Sequence, residues 1–150
     1  SVEECYERWL FHGPCFQGIT AVPGLNRPGI VADITPSLPD EYLASGPGGR
    51  WLLDPVTIDC GFQLGILWER VHYDMTPLPA RIDRVRRYGE LGGGPVRTYF
   101  VARPDVQGRI LNCDIHFFDG AGRLLASVEN LQTACSKELN RLAERGVSPA

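Results

Sequence analysis

The 150-residue chain has no CxxC pair, no run of about 18 apolar residues and, Lys137 apart, no lysine among its fifteen basic residues. Each absence excludes something. Without closely spaced thiols there is no sign of a zinc site or a redox couple. The five cysteines (Cys5, Cys15, Cys60, Cys113, Cys135) are odd in number and scattered, as expected of reduced thiols in a cytoplasmic protein. Without a long apolar run nothing spans a membrane, and no signal-peptide pattern opens the chain. A net charge of −3 gives no bulk reason to expect nucleic-acid binding. The dominance of arginine over lysine reports base composition rather than function. No repeat or low-complexity segment is visible. The chain begins at Ser1 without an initiator methionine and reads as a piece of a longer polypeptide. With 43% hydrophobic and 22% charged residues, it has the makings of one domain, 1–150, with its own core.

What is present centres on Asp59, the one charge in the largely apolar stretch from Pro55 to Trp68, PVTIDCGFQLGILW. Burying a carboxylate costs several kcal/mol unless it is paired, hydrogen-bonded or protonated. The stretch reads as a helix over 55–73. Asp54 is its N-cap and Pro55 its first residue. Apolar residues surround it rather than forming one stripe, so it should be buried nearly all round. Glu69, Arg70 and Asp74 are expected to return it to solvent, and Pro77 and Pro79 to end it. Gln63, four residues after Asp59, lies one turn along on the same face and can orient the carboxyl. Gly61 and Gly65 weaken the helix by about 1 kcal/mol each relative to alanine, and leave room for a backbone or ligand to approach.

Before this helix, residues 3–10 read as a short amphipathic helix with Cys5, Tyr6, Trp9 and Leu10 near one face. Gly13-Pro14 forces a turn, a hairpin is expected around Pro23–Pro28 returning through 29–34, and 36–50 reads as an irregular loop. After the helix, strands are expected at 80–88, 96–103, 108–118 and 123–134, the last two joined through Asp119-Gly120-Ala121-Gly122. Residues 137–145 read as a short helix. A buried helix followed by a four-stranded antiparallel meander is α+β. A sheet curled around the helix covers both, which is the hotdog architecture.

Two motifs carry a resemblance. HGPCFQGI (12–19) resembles the YGPxFQG signature of polyketide synthase dehydratase domains, with His12 where many members have Tyr. DPVTIDCGFQ (54–63) resembles their HPxxxDxxxQ motif, with Asp54 at the His position and Pro55, Asp59 and Gln63 matching. The spacing and the later hairpin, 108–131, are also similar, so the likeness spans nearly the whole chain. Its wording is closest to iterative bacterial synthases of the enediyne or polyunsaturated type. Such domains are double hotdogs, and the resemblance implies that this chain is the C-terminal half. The family's base is a histidine in an HxxxGxxxxP motif on the other half. Here His12 is followed by Phe16 and His72 by Thr76, while His116 has Gly120 but Leu125 where Pro is required. That motif is missing.

The implied reaction removes water from a β-hydroxyacyl thioester carried on the phosphopantetheine of an acyl carrier protein, with no other cofactor and no metal. Asp59 would protonate the departing hydroxyl while the partner's histidine takes the α-proton. To donate near neutrality the carboxyl must hold its proton well above the reference value of about 3.9, and apolar burial acts in that direction. Gln63 would orient it and bond the substrate hydroxyl. His12 either lines the tunnel beside Asp59 or is a turn residue bonded to backbone. Gly13, Pro14 and Phe16 would flank the substrate, chiefly by fixing the turn and packing the core, and Gln17 would bond backbone. Trp9, Trp51 and Trp68 read as packing residues. Arg81, Arg84, Arg86 and Arg87 are either a solvated strand face or a docking patch for an acidic carrier protein. The expected partners are the N-terminal hotdog half, the carrier protein, a small acyl substrate and a further copy of the chain. The rival readings are a hotdog thioesterase, a product-template-like cyclase, and a scaffold or acyl-binding half without activity.

Overall fold

The computed structural model describes residues 1–44 and 48–144. Helix α1 (Val2–Arg8) is followed by a single 3-10 turn (Pro14–Phe16), then strands β1 (Ile19–Asn26) and β2 (Gly29–Ile34). Helix α2 (Pro55–Tyr73) comes next, then β3 (Thr76–Arg87), β4 (Val96–Pro104), β5 (Ile110–Phe118) and β6 (Leu124–Ser136). A 3-10 turn (Glu138–Asn140) and the short helix α3 (Arg141–Glu144) close the described chain; the expected helix over 137–145 extends one residue beyond it. One antiparallel sheet in the order β1-β2-β4-β5-β6-β3 wraps α2. This is the hotdog fold, α+β as the sequence implied.

Strict alternation builds the sheet's inner face. Ile30, Ala32 and Ile34, then Val96, Thr98 and Phe100, then Leu111, Cys113, Ile115 and Phe117 are all buried against the helix. The helix runs over 55–73 as expected, and buried residues occur all round it from Val56 to Glu69. Gly61 and Gly65 do admit a close approach by side chains of the sheet, and Gly65 also lines the cavity beside Asp59. A Cβ on Gly61 would lie 2.7 Å from the Phe117 ring, and one on Gly65 would lie 3.3 Å from Phe100.

Three expectations need correcting. The strands after α2 are not a four-strand meander: β4, β5 and β6 are sequential neighbours, while β3 sits at the far edge and pairs with β6. Both edges of β4 are taken by β2 and β5, and the glycine-rich 88–95 link is too long for a tight hairpin. Pro77 and Pro79 do not end the helix. Asp74 ends it in a left-handed conformation (φ 52°), and the prolines lie inside β3, where an edge strand tolerates a missing N–H. Their cost shows as a register shift between Pro79 and Arg81. Finally, Glu69 does not return the helix to water: it is fully buried.

Candidate active site

The start of α2 is locked by its cap. The buried Asp54 carboxylate accepts from the Val56 and Thr57 amides (3.1 and 3.3 Å). It also accepts from the Ser37 amide (2.9 Å) and from both the Ser37 and Thr57 hydroxyls. The Trp51 indole then donates to Ser37 Oγ (3.1 Å). Asp54 therefore ties Ser37, and through it Trp51, to the start of the helix. Position 54 is structural, with every donor at hand satisfied.

One turn further on, Asp59 is half-buried, its side chain 31% exposed. The deep burial expected of it is only partial in this chain. Gln63 Nε2 donates to Asp59 Oδ2 (2.8 Å). The same nitrogen donates to the Phe16 carbonyl (2.8 Å), while Gln63 Oε1 accepts from the Tyr6 hydroxyl (3.0 Å). Tyr6 in turn accepts from the Ile19 amide (3.1 Å). Burial pushes the Tyr6 phenol up, so it remains a neutral donor. The spacing of Asp59 and Gln63 predicted their contact. The role of Tyr6 was missed: the sequence offered only its place on the apolar side of α1, which says nothing about its hydroxyl.

His12 Nε2 lies 3.5 Å from Asp59 Oδ2, and the imidazole stacks on Phe11 (centroids 4.6 Å apart). Its Nδ1 is buried and has no hydrogen-bond partner among the described residues. Burial lowers the His12 pKa against the opposing pull of Asp59, which favours the neutral ring at pH 7. His12 and Asp59 share a cavity of about 170 Å³ with Phe11, Phe62, Pro77 and Phe100. Of the other turn residues, Gly13 and Pro14 line a neighbouring depression beside α1, which shares Phe11 and His12 with the Asp59 cavity. Phe16 contributes its carbonyl to Gln63 and packs its ring edge-on against Tyr42 (6.4 Å). The structure thus brings His12, Asp59 and Gln63 together and sets Gly13, Pro14 and the Phe16 side chain apart from that cavity. Gln17 donates to the His12 carbonyl (3.0 Å).

A larger depression, about 910 Å³, opens elsewhere, beside Tyr99, His116 and Phe118, and shares no lining residue with the Asp59 cavity. Its Asp33 is held by Arg97 through two contacts (2.6 and 3.0 Å), so this acid is already engaged. On β3, Arg84 and Arg86 both pair with Glu129, and Arg81 pairs with Asp83. Among the described residues no group of three or more His, Cys, Asp or Glu could hold a metal ion. No described helix is long and apolar enough to cross a membrane.

Comparison with known proteins points one way. A family model described as the polyketide synthase dehydratase N-terminal domain matches residues 1–143. No curated protein matches the sequence. Among solved structures, the chain is similar to the dehydratase domain from the CurJ module of curacin polyketide synthase. There the identity is 20% and the TM-score 0.68, over 98% of this chain and 49% of that one. It is similar to GphF dehydratase 1 at 22% identity and TM-score 0.70, over 89% and 49%. It also resembles the dehydratase domain of PpsC from Mycobacterium tuberculosis, solved in complex with C12:1-CoA. That match has 25% identity and TM-score 0.67, over 90% and 51%. The chain spans about half the length of these relatives.

Proposed function

The chain belongs to the polyketide synthase dehydratase family, and on that premise we propose that it is the acid-supplying half of a double-hotdog dehydratase. The observation that carries this reading is the Asp59 carboxyl, set at a cavity and oriented by Gln63. In the reaction a base removes the α-proton of a β-hydroxyacyl thioester on an acyl carrier protein. Asp59 protonates the departing hydroxyl, and an α,β-enoyl thioester and water result.

The matching family model is named for an N-terminal domain; our assignment to the C-terminal half rests on this chain's own residues. Its helix bears the acid and the glutamine, and none of its three histidines lies in an HxxxGxxxxP motif. His12 is a poor substitute for the missing base. At 3.5 Å it touches Asp59, leaving no room for the reacting carbons between acid and base. We assign it to the cavity wall, and give Gly13, Pro14 and Phe16 the task of shaping the turn that holds it.

The fold also supports a partner half. From Pro79 to Arg87 strand β3 is exposed on both faces and along its outer edge, with Ile82 and Val85 about 40% exposed. A strand edge left unpaired in this way is a template for another chain. With the partner half docked, the site would be shared, and the isolated chain is expected to turn nothing over. The setting would be the cytoplasm.

In the intact double domain, Asp59→Asn is expected to lower dehydration of a β-hydroxyacyl thioester by at least about 100-fold. Turnover at the unmodified rate would refute the assignment. Release of free thiol without enoyl product would instead mark a thioesterase. Cyclised product from a poly-β-ketone would mark a cyclase.

A further inference from the structure

We propose that Tyr6 is a positioning residue for Asp59: it holds the Gln63 amide in one orientation and thereby assigns the transferable proton to Asp59 Oδ1. The inference rests on the dehydratase reading for the use of that proton, and on geometry alone for the rest.

The orientation follows from donors and acceptors. The Tyr6 oxygen accepts from the Ile19 amide (3.1 Å), so its own hydrogen is free to bond Gln63 Oε1 (3.0 Å). Gln63 Nε2 faces the Phe16 carbonyl and Asp59 Oδ2, each at 2.8 Å. A carbonyl only accepts, so the group opposite Phe16 has to be the NH2. Flipping the amide would press Oε1 against both the Phe16 carbonyl and the carboxylate. It would also leave buried donors unmatched, at about 1–3 kcal/mol each. Tyr6 and Phe16 therefore grip the amide from its two ends.

Two consequences follow. Both N–H bonds of Gln63 are already committed, so it has no hydrogen for a substrate hydroxyl and acts as an orienting group. That narrows the part the sequence suggested for it. Asp59 Oδ2 receives the Gln63 N–H and has His12 Nε2 at 3.5 Å. A proton on Oδ2 would point at the glutamine's own hydrogen. Among the described residues nothing bonds Oδ1, so the acid form is Oδ1–H. On reaction Oδ1 gives this proton to the hydroxyl, which leaves as water with the C–O electron pair. The α-proton goes to the partner's imidazole. The resulting carboxylate is stabilised by the N–H that Tyr6 and Phe16 hold in place.

The test begins with side-chain amide exchange in the labelled chain. The NH2 protons of Gln63 are expected to exchange on the order of tenfold more slowly than those of the exposed Gln107. Equal rates overturn the proposal without any variant. Tyr6→Phe keeps the ring and removes the hydroxyl. It is expected to speed Gln63 exchange about fivefold while the backbone spectrum is retained, and an unchanged rate overturns the proposal. Should that variant not fold, the Gln63–Gln107 comparison decides. In the intact dehydratase, Tyr6→Phe is expected to lower kcat about tenfold with KM little changed, and to cost nothing further in a Gln63→Leu background. Independent, additive losses would make Tyr6 merely structural and overturn the proposal. An unmodified enzyme that does not dehydrate would defeat the dehydratase reading, while the exchange result would still decide the role of Tyr6.

Discussion

Asp54 and Glu69 stand at opposite ends of α2, and both are fully out of water, yet their surroundings are opposite. Asp54 is met by three backbone amides and two hydroxyls. Among the described residues neither oxygen of Glu69 meets a donor in hydrogen-bonding geometry. Burial pushes the Glu69 carboxyl up to about 7, with Asp105 adding to the effect and the Cys135 thiol opposing it. Asp59 lies between them in every sense, half exposed and held on one oxygen. The contrast shows that burial alone does not define a carboxyl group. The donors that come with it decide whether it caps, reacts or stays protonated.

Removing the satisfied member should do most damage. Asp54→Ala deletes the helix cap and strands the Ser37 and Thr57 donors, with an expected loss of about 4 kcal/mol in urea unfolding. A loss below about 1 kcal/mol would mean that water replaces the carboxylate and that the two ends are not so different. Glu69 should behave in reverse. A carboxyl raised in the folded state favours folding where both states are protonated, below about pH 4.5. Stability then falls as pH rises, until the folded group has also ionised above about 7. Glu69→Met should therefore remove that slope and stabilise the protein at pH 8 by up to about 3 kcal/mol. A pH–stability curve unchanged by the substitution would show that Glu69 finds a partner after all.

Between the two ends, Gly61→Ala asks how tightly the sheet grips the helix. The added carbon would meet Phe117 at 2.7 Å, and overpacking should outweigh the gain in helix propensity by about 1 kcal/mol. Thermal melts would read this, and Phe117→Leu in the same background should recover it; a melt raised by Gly61→Ala would contradict the packing. The smallest effect is expected outside the helix, where no burial amplifies a charge. Arg87 has no carboxylate partner among the described residues, unlike Arg81, Arg84 and Arg86. Arg87→Glu should raise the apparent KM for carrier-bound substrate about threefold and leave a small thioester mimic unchanged. An equal response to both substrates would remove carrier docking from this edge.

Local chemistry wrote the helix plainly: the Asp54-Pro55 start, the apolar residues all round and the Asp59–Gln63 spacing predict 55–73 and one contact of the site. The period-2 strands β4 and β5 were equally legible. The placing of β3 was not, because a strand's partner depends on which sheet edges are already occupied, and that is a property of the assembled sheet. Glu69 was misjudged for a related reason. Charge predicts solvent, but Glu69 follows Gly61 and Gly65 at fourfold spacing and so shares their packed face. The link from Tyr6 to Gln63 joins residues 57 apart in sequence, and no local pattern encodes it.

By itself the sequence determined which segments are helix and strand, that one carboxylate and one glutamine share a helical face, and which family motifs they belong to. These follow from periodicity, capping and spacing, all of them short-range. The tertiary structure decided which oxygen of Asp59 is held, which carboxylates are satisfied, and that one strand is left uncovered. Those depend on donors, acceptors and edges brought together from distant parts of the chain.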